Sequence, residues 1–335
     1  MTKTINLDHG SGGLASGELI ASLIKPLSNP VLDDMEDCAV IDTGAGRLAF
    51  STDSYVVDPI FFPGGSIGKL AVHGTINDLA MRGARPMGLS LGLILEEGLD
   101  MAELRRVNLD IAEACAQAGV PILTGDTKVV PRGKADKIFI NTAGIGLVAS
   151  GLNLGVSNAR PGDRILISGS MADHGITIML ARHNLPFSGN LQSDTQALHR
   201  LTAALAQDIG SGLHAMRDPT RGGIATTLCE TAASAGVAIN IEESAIPIHP
   251  QVRVACDLLG LDPLYLANEG KLLALVEKKA ADNALKVMRQ FPEGRKAAII
   301  GEVRESPAGR VEMRTTAGGR RLITALSGEP LPRIC

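Results

Sequence analysis

Residues 67–96, IGKLAVHGTINDLAMRGARPMGLSLGLILE, indicate the fold class. In 67–83 the apolar residues recur at helical spacing, whereas 87–96 is an apolar run of strand length. The same alternation surrounds this segment, with strand-like runs at 47–57, 121–130 and 137–148 and a helical pattern at 100–119. Strands and amphipathic helices in alternation predict an α/β protein.

A Pro-Gly turn at SNARPGD, 157–163, precedes a new apolar strand at 164–169 and predicts a domain boundary. The second half then repeats the alternation without a convincing internal repeat. We expect one domain over residues 1–155, a second over 156–322, and a flexible tail over 323–335.

Composition and charge exclude several classes of protein. The chain has 335 residues, of which 45% are apolar and 2% aromatic, with no Trp, so Ala, Val, Ile and Leu must form the core. Its net charge is −4, and Lys and Arg are scattered, which argues against nucleic-acid and membrane binding. No apolar run reaches the roughly 18 residues of a membrane span, and the N-terminus has no signal-like stretch. We expect a cytoplasmic protein.

The cysteines form no disulfide or zinc pattern. They are odd in number and widely spaced, with no C-x-x-C. Cys115, Cys229 and Cys256 lie in apolar or helix-like segments, where a small buried side chain explains each of them. Cys335, the last residue of the sequence, cannot be explained in this way.

The segment before Cys335 predicts an extended path. In GEPLPRIC, 328–335, Pro330 and Pro332 block a helix and favour a polyproline-like conformation. About ten such residues span roughly 30 Å at about 3.1 Å each. The tail could therefore carry its thiol to a site far from where it is attached.

Carboxylates recur beside turns and at the ends of apolar runs. A carboxylate at the end of a strand often faces the mouth of an α/β sheet, and several that converge there need cations. Mg²⁺ suits such oxygen ligands and bridges phosphates. Taken singly, each Asp is better explained as a helix cap or turn former. The acidic positions are Asp37, Asp53, Asp78, Asp126, Asp218 and Glu269.

Two glycine-rich stretches, HGSGG at 9–13 and TRGG at 220–223, each precede a helical pattern. Exposed backbone N–H groups at a helix start suit phosphate. Neither stretch has the P-loop spacing, and a flexible turn explains each of them equally well.

Together these stretches resemble one superfamily. EDCAV (36–40), STDSYVVDP (51–59), GTINDLAMRGARP (74–86), TGDTKVV (124–130), DPTRGG (218–223) and NEGKL (268–272) follow the order and spacing of the aminoimidazole ribonucleotide synthetase superfamily. The terminal PRIC (332–335), together with the N-terminal HGSGG, resembles the HypE family of hydrogenase maturation proteins within it.

The resemblance implies two α/β domains whose sheets carry helices on one face. The N-terminal domain would bind ATP and pair its sheet with that of a second copy in a homodimer. It also implies a carbamoyl dehydratase for the cyanide ligands of [NiFe]-hydrogenase. A HypF-like carbamoyltransferase would load the terminal thiol, ATP-driven dehydration would convert the thiocarboxamide to a thiocyanate, and a HypC–HypD complex would accept the cyano group.

The resemblance also assigns residues, with ATP and Mg²⁺ as cofactors. Cys335 would be the carrier. Arg333 beside it would favour the thiolate, and the terminal carboxylate next to Cys335 would oppose it. Glu269 would be the base that takes amide protons, with His9 and Arg221 as lesser candidates, although a structural carboxylate paired with Lys271 explains Glu269 equally well. Lys128 follows Asp126 by two positions, so both side chains share a face of a strand, and Lys128 would contact phosphate. The expected metal and nucleotide ligands are Asp37, Asp53, Asp78, Asp126 and Asp218, with Asn77, Lys128, Gly12 and Gly13 as further nucleotide contacts.

Three rivals lie in the same superfamily and one outside it. Selenophosphate synthetases place a reactive Cys or selenocysteine in the N-terminal glycine-rich segment, whereas LDHGSGG, 7–13, has none. Thiamine-monophosphate kinases and aminoimidazole ribonucleotide synthetases need no terminal Cys. A non-catalytic nucleotide-binding scaffold is opposed by the number of acidic positions.

Overall fold

The structure is a computed structural model that describes residues 4–10, 12–183, 185, 189–328 and 333–335. Its helices are α1 Leu14–Ile24, α2 Ile67–Met81, α3 Met101–Ala118, α4 Asp173–Arg182, α5 His199–Ile209, α6 Gly223–Ala235, α7 Pro250–Leu259 and α8 Ala281–Arg289. Its strands are β1 Ala39–Asp42, β2 Arg47–Tyr55, β3 Phe61–Phe62, β4 Gly65–Ser66, β5 Ala84–Glu96, β6 Ile122–Val130, β7 Ile138–Val148, β8 Arg164–Ile167, β9 Leu213–Arg217, β10 Ala238–Glu242, β11 Leu273–Val276, β12 Ala298–Arg304, β13 Val311–Arg314 and β14 Arg320–Ile323.

The first sheet has the order β1-β2-β7-β5-β6, and only the β5–β6 pair is parallel. Helix α2 covers β2, β5 and β7, and α3 packs on α2. The other face of the sheet presents large apolar side chains to solvent, including Phe50, Ile94 and Leu147. The expected arrangement, with helices on one face, is confirmed for this sheet.

The second sheet has the order β14-β13-β10-β12-β8-β11-β9 and is antiparallel except between β10 and β13. Its central strands are buried on both faces. Ile165 and Ile167 of β8 join the main core, which contains residues of α4, α6 and α7, whereas Leu166 joins a second core with residues of α5 and α8. This sheet is more enclosed than we expected, because helices lie on both of its faces.

Helix α2 is buried almost throughout, which explains its apolar sequence. Ser66 caps its N-terminus by accepting a hydrogen bond from the Lys69 N–H, and a Cβ at Gly74 would come within 2.2 Å of the Tyr55 hydroxyl. Side chains of α2 and of both domains belong to one continuous core. The junction between the domains is therefore as well packed as the domains themselves.

The predicted boundary at residue 155 lies in the connection between Val148 and Arg164, where one sheet ends and the other begins. The two prolines on which the extended tail was predicted, Pro330 and Pro332, lie outside the described residues. Across the ranges that the structure describes, no helix combines the length and the apolarity needed to cross a membrane.

Candidate active site at the domain junction

Three elements of the first domain present carboxylates toward the second. Asp53 lies on the α2-facing side of β2, and Asp78 lies in the last turn of α2. The Ser51 hydroxyl donates to Asp78 Oδ2 at 2.6 Å. Asp37 precedes β1 and pairs with Arg217 of the second domain, with 2.8 Å between Asp37 Oδ1 and Arg217 Nε.

The second domain contributes Asp218, directly after β9, and Glu269, before β11. Both are buried, with 8% and 4% of their surface exposed. We call the set Asp37, Asp53, Asp78, Asp218 and Glu269 the carboxylate cluster.

Burial raises the pKa of every member of the carboxylate cluster, and repulsion by neighbouring carboxylates adds to this for all of them except Asp53. Burial raises the pKa of Asp218 to about 6, with the guanidinium of Arg217 acting in the opposite direction. Burial, and then the charges of Asp218, Asp53 and Asp37, hold the pKa of Asp78 well above its ordinary value. Burial and Asp218 do the same to Glu269. The carboxylate cluster would therefore be stabilised by a bound cation.

Glu269 is held by its backbone and not by its carboxylate. Its N–H donates to Asp194 Oδ1 at 3.0 Å, and its carbonyl accepts from Asn77 Nδ2 at 3.3 Å. Its Oε1 is buried without a hydrogen-bond partner in the described part of the chain. Lys271 Nζ pairs instead with Asp194 Oδ2 at 2.9 Å. The alternative in which Glu269 is a structural partner of Lys271 is therefore wrong.

We call Asn77, Asp194 and Lys271 the clamp. Asn77 also donates to the carbonyl of Gln196 and accepts from the N–H of Leu198 at 2.8 Å. These bonds use the amide of Asn77 fully, so the residue predicted as a nucleotide contact joins the two domains and positions Glu269.

Asp126 and Lys128 are not brought into the carboxylate cluster. Their side chains are 69% and 70% exposed and form an ion pair of 2.7 Å on the edge strand β6. Register places Asp126 opposite Gly92, Gly92 opposite Asn141, and Asn141 opposite Ser54. Asp126 therefore lies on the open face of the sheet, about 14 Å from β2 at ~4.8 Å per strand, whereas Asp53 faces α2.

The two glycine-rich stretches pack against each other. A Cβ at Gly12 would lie 2.6 Å from Arg221 Cβ, and a Cβ at Gly13 would lie 1.9 Å from the carbonyl oxygen of Leu326. The N–H of Leu14 donates to that same carbonyl. These contacts explain the glycines by close approach of the backbone. Contact of Gly12 and Gly13 with a nucleotide stays a prediction.

The end of the chain lies beside β2. The N–H of Val56 donates to the carbonyl of Cys335 at 2.9 Å, and that of Asp58 to the carbonyl of Arg333 at 3.4 Å. Both bonds lie just beyond the end of β2 and hold the main chain of the terminal residues against residues 56–58. Ile334 is buried in the main core, and Cys335 packs against it.

The thiol-bearing residue borders a cavity of about 340 Å³. The cavity is lined by the N-terminal segment with α1, the loop before α6, the segment before β11, Leu326, and the end of β2 with the docked tail. His9, Ser54, Arg221, Gly222 and Cys335 are among them. The structure therefore places His9, Arg221 and Cys335 at one cavity, and the catalytic roles of His9 and Arg221 stay predictions.

The side chain of Arg333 is bonded to the first domain, and its effect on the Cys335 thiolate stays a prediction. Its Nε donates to the carbonyl of Val56 at 2.9 Å, and its guanidinium pairs with Asp136. Both contacts attach the tail to the first domain, so the guanidinium is used to dock the chain.

The carboxylate cluster fits a cation. Asp37 Oδ2 and Glu269 Oε1 are buried acceptors without a hydrogen-bond donor in the described residues. Within those residues, no three His, Cys, Asp or Glu side chains already surround a common point as ligands. Mg²⁺ usually takes one or two carboxylates together with substrate phosphates, so this arrangement suits an ion that enters with a nucleotide.

Sequence reasoning missed Asp194 and Arg217. Arg217 directly precedes Asp218, so a basic residue beside a predicted ligand was an available signal. Asp194 lies in a stretch without periodicity, and only the fold brings it to residues 269–271.

Comparison with known proteins agrees with the geometry. The AIR synthase related protein family matches through its N-terminal domain over residues 35–148 and its C-terminal domain over 160–314. Carbamoyl dehydratase HypE of Azotobacter vinelandii is 51% identical over 333 residues, covering 99% of this chain and 97% of that protein.

Two solved structures are similar over nearly the whole chain. Hydrogenase maturation protein HypE in complex with ATP matches with a TM-score of 0.84 and 52% identity, over 99% of this chain and 100% of that one. A chain of the HypE–HypF complex matches with a TM-score of 0.88 and 43% identity, over 94% and 100%. The resemblance drawn from the motifs is confirmed, and this chain belongs to the HypE family of carbamoyl dehydratases within the AIR synthase related proteins.

Proposed function

We propose that this protein dehydrates a carbamoyl group carried on Cys335, with ATP as co-substrate, and so supplies cyanide ligands for [NiFe]-hydrogenase. One observation carries the proposal: the terminal cysteine is docked at a cavity that it shares with Arg221, beside the strand that carries Asp53. An accidental terminal thiol has no reason to be held at such a place.

The chemistry balances with the groups present. The oxygen of S–C(=O)–NH₂ attacks the γ-phosphorus of ATP, ADP leaves, and loss of one N–H proton gives S–C(OPO₃)=NH. Loss of the second N–H proton as phosphate departs gives S–C≡N. Positioning and charge neutralisation dominate phosphoryl transfer, which is what buried carboxylates with bound cations and Arg221 supply.

Glu269 is the proposed acceptor of the amide protons. Its backbone is fixed by the clamp, and its carboxylate is not used by the scaffold. A carboxylate whose pKa is raised toward the working pH is a more effective base than an exposed one.

Mg²⁺ is proposed to be held by members of the carboxylate cluster together with ATP phosphates. When bound, it would neutralise charge on the transferred phosphoryl group. Asp37, Asp53, Asp78 and Asp218 are the proposed ligands. The Oδ1 of Asp37 pairs with Arg217, whereas its Oδ2 is buried without a donor in the described residues.

Asp126 and Lys128 are proposed to contact phosphate from a second copy of the chain. They lie on the open face of the first sheet, which also exposes Phe50, Ile94 and Leu147. Sheet-to-sheet pairing in a homodimer would cover that face. Mixing an inactive D126N protein with an inactive D78N protein should restore part of the activity if the site is shared; two inactive proteins that stay inactive as a proven mixed dimer would contradict sharing.

The proposed partners are a HypF-like carbamoyltransferase and a HypC–HypD complex as acceptor. A solved HypE–HypF complex is among the similar structures, which supports the first of these. A cytoplasmic location stays a prediction from the sequence.

Intact-protein mass spectrometry tests the function. Protein co-expressed with the carbamoyltransferase should gain a carbamoyl-sized mass on the C-terminal peptide and lose one water after Mg-ATP is added. The C335A variant should bind ATP but gain neither change. ATP hydrolysis with Cys335 unmodified would instead indicate an enzyme that phosphorylates a small molecule.

A further inference from the structure

His174 lies at the start of α4, in the buried interior, and makes two polar contacts. Its Nε2 lies 2.8 Å from the carbonyl oxygen of Ile334, and its Nδ1 lies 2.7 Å from Ser193 Oγ. A carbonyl only accepts, so Nε2 carries the proton. Burial lowers the pKa of His174, so Nδ1 is left as an acceptor for the Ser193 hydroxyl.

Ser193 Oγ in turn accepts the N–H of Thr195 at 3.2 Å. The hydroxyl proton of Ser193 is therefore available to His174, which fixes the imidazole as a donor toward the tail. His174 is thus a buried neutral imidazole that donates to a main-chain carbonyl of the tail, and its partner Ser193 is the sequence neighbour of Asp194 in the clamp.

Arg182, at the other end of α4, contacts the same tail. One of its guanidinium nitrogens donates to the carbonyl of Arg333 at 2.7 Å, and its Nε donates to the carbonyl of Asp58 at 2.8 Å. The carbonyl of Arg333 also accepts the N–H of Asp58. Helix α4 of the second domain thus binds both the docked tail and Asp58 of the first domain, to which the tail is itself bonded.

We propose that His174 and Arg182 form a latch that holds the docked main chain of Arg333 and Ile334, and that these two positioning residues set where the Cys335 thiol stands. The latch spans both domains, since α4 belongs to the second domain and Asp58, to which Arg182 also donates, belongs to the first. Both residues donate to main-chain carbonyls of the tail. The latch can therefore bind the tail whatever group the thiol carries. This inference rests on the proposed carrier role only in its second readout.

The first readout is the alkylation rate of Cys335 by iodoacetamide in the full chain without ATP, measured on the C-terminal peptide. His174→Phe keeps the edge contact with Phe62 but removes the donor, and Arg182→Met removes the guanidinium. Each should raise the rate constant about five- to tenfold, the size of one or two net hydrogen bonds. His174→Gln and Arg182→Lys, which keep a donor, should fall between these variants and wild type.

Two matched controls remove similar bonds elsewhere. His214→Phe breaks a buried His contact with Asp163 of 2.8 Å, and Arg289→Met breaks guanidinium bonds to the carbonyl of Ala297. Neither should change Cys335 alkylation. The latch is overturned if His174→Phe and Arg182→Met leave the rate at the wild-type value, or if the controls raise it as much.

The second readout uses protein already carbamoylated on Cys335. Latch variants should slow single-turnover dehydration several-fold with unchanged ATP affinity, and loading by the carbamoyltransferase should not slow. A general loss of structure would lower all three. If wild type fails to dehydrate while the alkylation pattern holds, the proposed function fails and the latch stands; a dehydration rate unchanged in both latch variants would overturn the positioning role.

Discussion

The clamp and the carboxylate cluster lie side by side, and they treat buried charge in opposite ways. In the clamp, Lys271 lowers the pKa of Asp194 although burial opposes it, and the ion pair is complete. In the cluster, burial and repulsion raise the pKa of Glu269, whose Oε1 has no hydrogen-bond donor in the described residues.

Both carboxylates are buried, so burial alone does not distinguish them. The distinction lies in whether the protein supplies its own cation. A charge that is already matched holds a backbone in place, and a charge left unmatched is available to a ligand that brings cations. Segment 268–272 contains both cases: Lys271 is paired and structural, whereas the Glu269 carboxylate is unmatched and available to a ligand.

The strongest test of this comparison is Glu269→Gln. If Glu269 takes the amide protons, the substitution should slow dehydration by roughly a hundredfold to ten-thousandfold while ATP still binds. The midpoint temperature of thermal unfolding should not fall, because the clamp holds the backbone of residue 269 and the substitution removes a repulsive charge. Glu305→Gln, at an exposed position, is the control, and a Glu269→Gln protein with normal single-turnover rates would place the base elsewhere.

Lys271→Met should break the clamp. It leaves Asp194 buried without its cation, which costs about 3–5 kcal/mol of unfolding free energy. Urea denaturation measures this, and the double variant with Asp194→Asn should recover part of the loss. Lys279→Met removes an ion-paired lysine that is 80% exposed and should cost less than about 1 kcal/mol. Equal losses in the two single variants would remove the distinction drawn here.

The two regions should also respond oppositely to pH. The pKa of Asp218 is about 6 in the native state against an ordinary 3.8, so the native state binds the proton more tightly. Stability of the unliganded protein should therefore fall as pH rises through this window. Asp194, with a lowered pKa, contributes stability above 3.8 that is lost only in more acidic solution.

Asp218→Asn should flatten the decline between about pH 4 and about pH 6. Urea midpoints across that range measure it, with Asp208→Asn at an exposed position as the control. A slope that is unchanged by Asp218→Asn would show that this carboxyl does not carry the excess charge.

The smallest effect is expected for Ser51→Ala. It removes the 2.6 Å hydrogen bond to Asp78, so the carboxylate is less favoured and Mg-ATP should bind a few-fold more weakly, up to about tenfold. Isothermal titration calorimetry measures the affinity, with the exposed Ser22→Ala as control. An affinity that stayed at the wild-type value would show that Ser51 does not tune the cluster.

Much of the fold could be predicted because buried helices and strands leave apolar residues at a characteristic spacing in the sequence. The pattern at 67–83 and the run at 87–96 correspond to Ile67–Met81 and Ala84–Glu96. The shared face of Asp126 and Lys128 followed from their spacing and is confirmed by their ion pair. Which face that is depends on strand register, and register is not legible from two residues.

The rest of the site rests on contacts distant in sequence. Asn77 looked like a ligand beside Asp78, yet its partners lie 119 to 192 residues away. The latch was invisible for another reason: it binds main-chain carbonyls, which carry no side-chain signature of the residue they belong to.

The hydrogen bonds from Val56 and Asp58 fix the position of the docked tail relative to β2, which ends at Tyr55. Asp53 precedes Val56 by three residues, about 10 Å along a strand at ~3.3 Å per residue. The distance between the main chain of Cys335 and the Asp53 carboxylate is set by the hydrogen bond to Val56. The length of the chain that leads to Cys335 does not set it. Lengthening or shortening the residues between Ile323 and Arg333 should alter how readily the tail arrives, yet leave its distance on arrival the same.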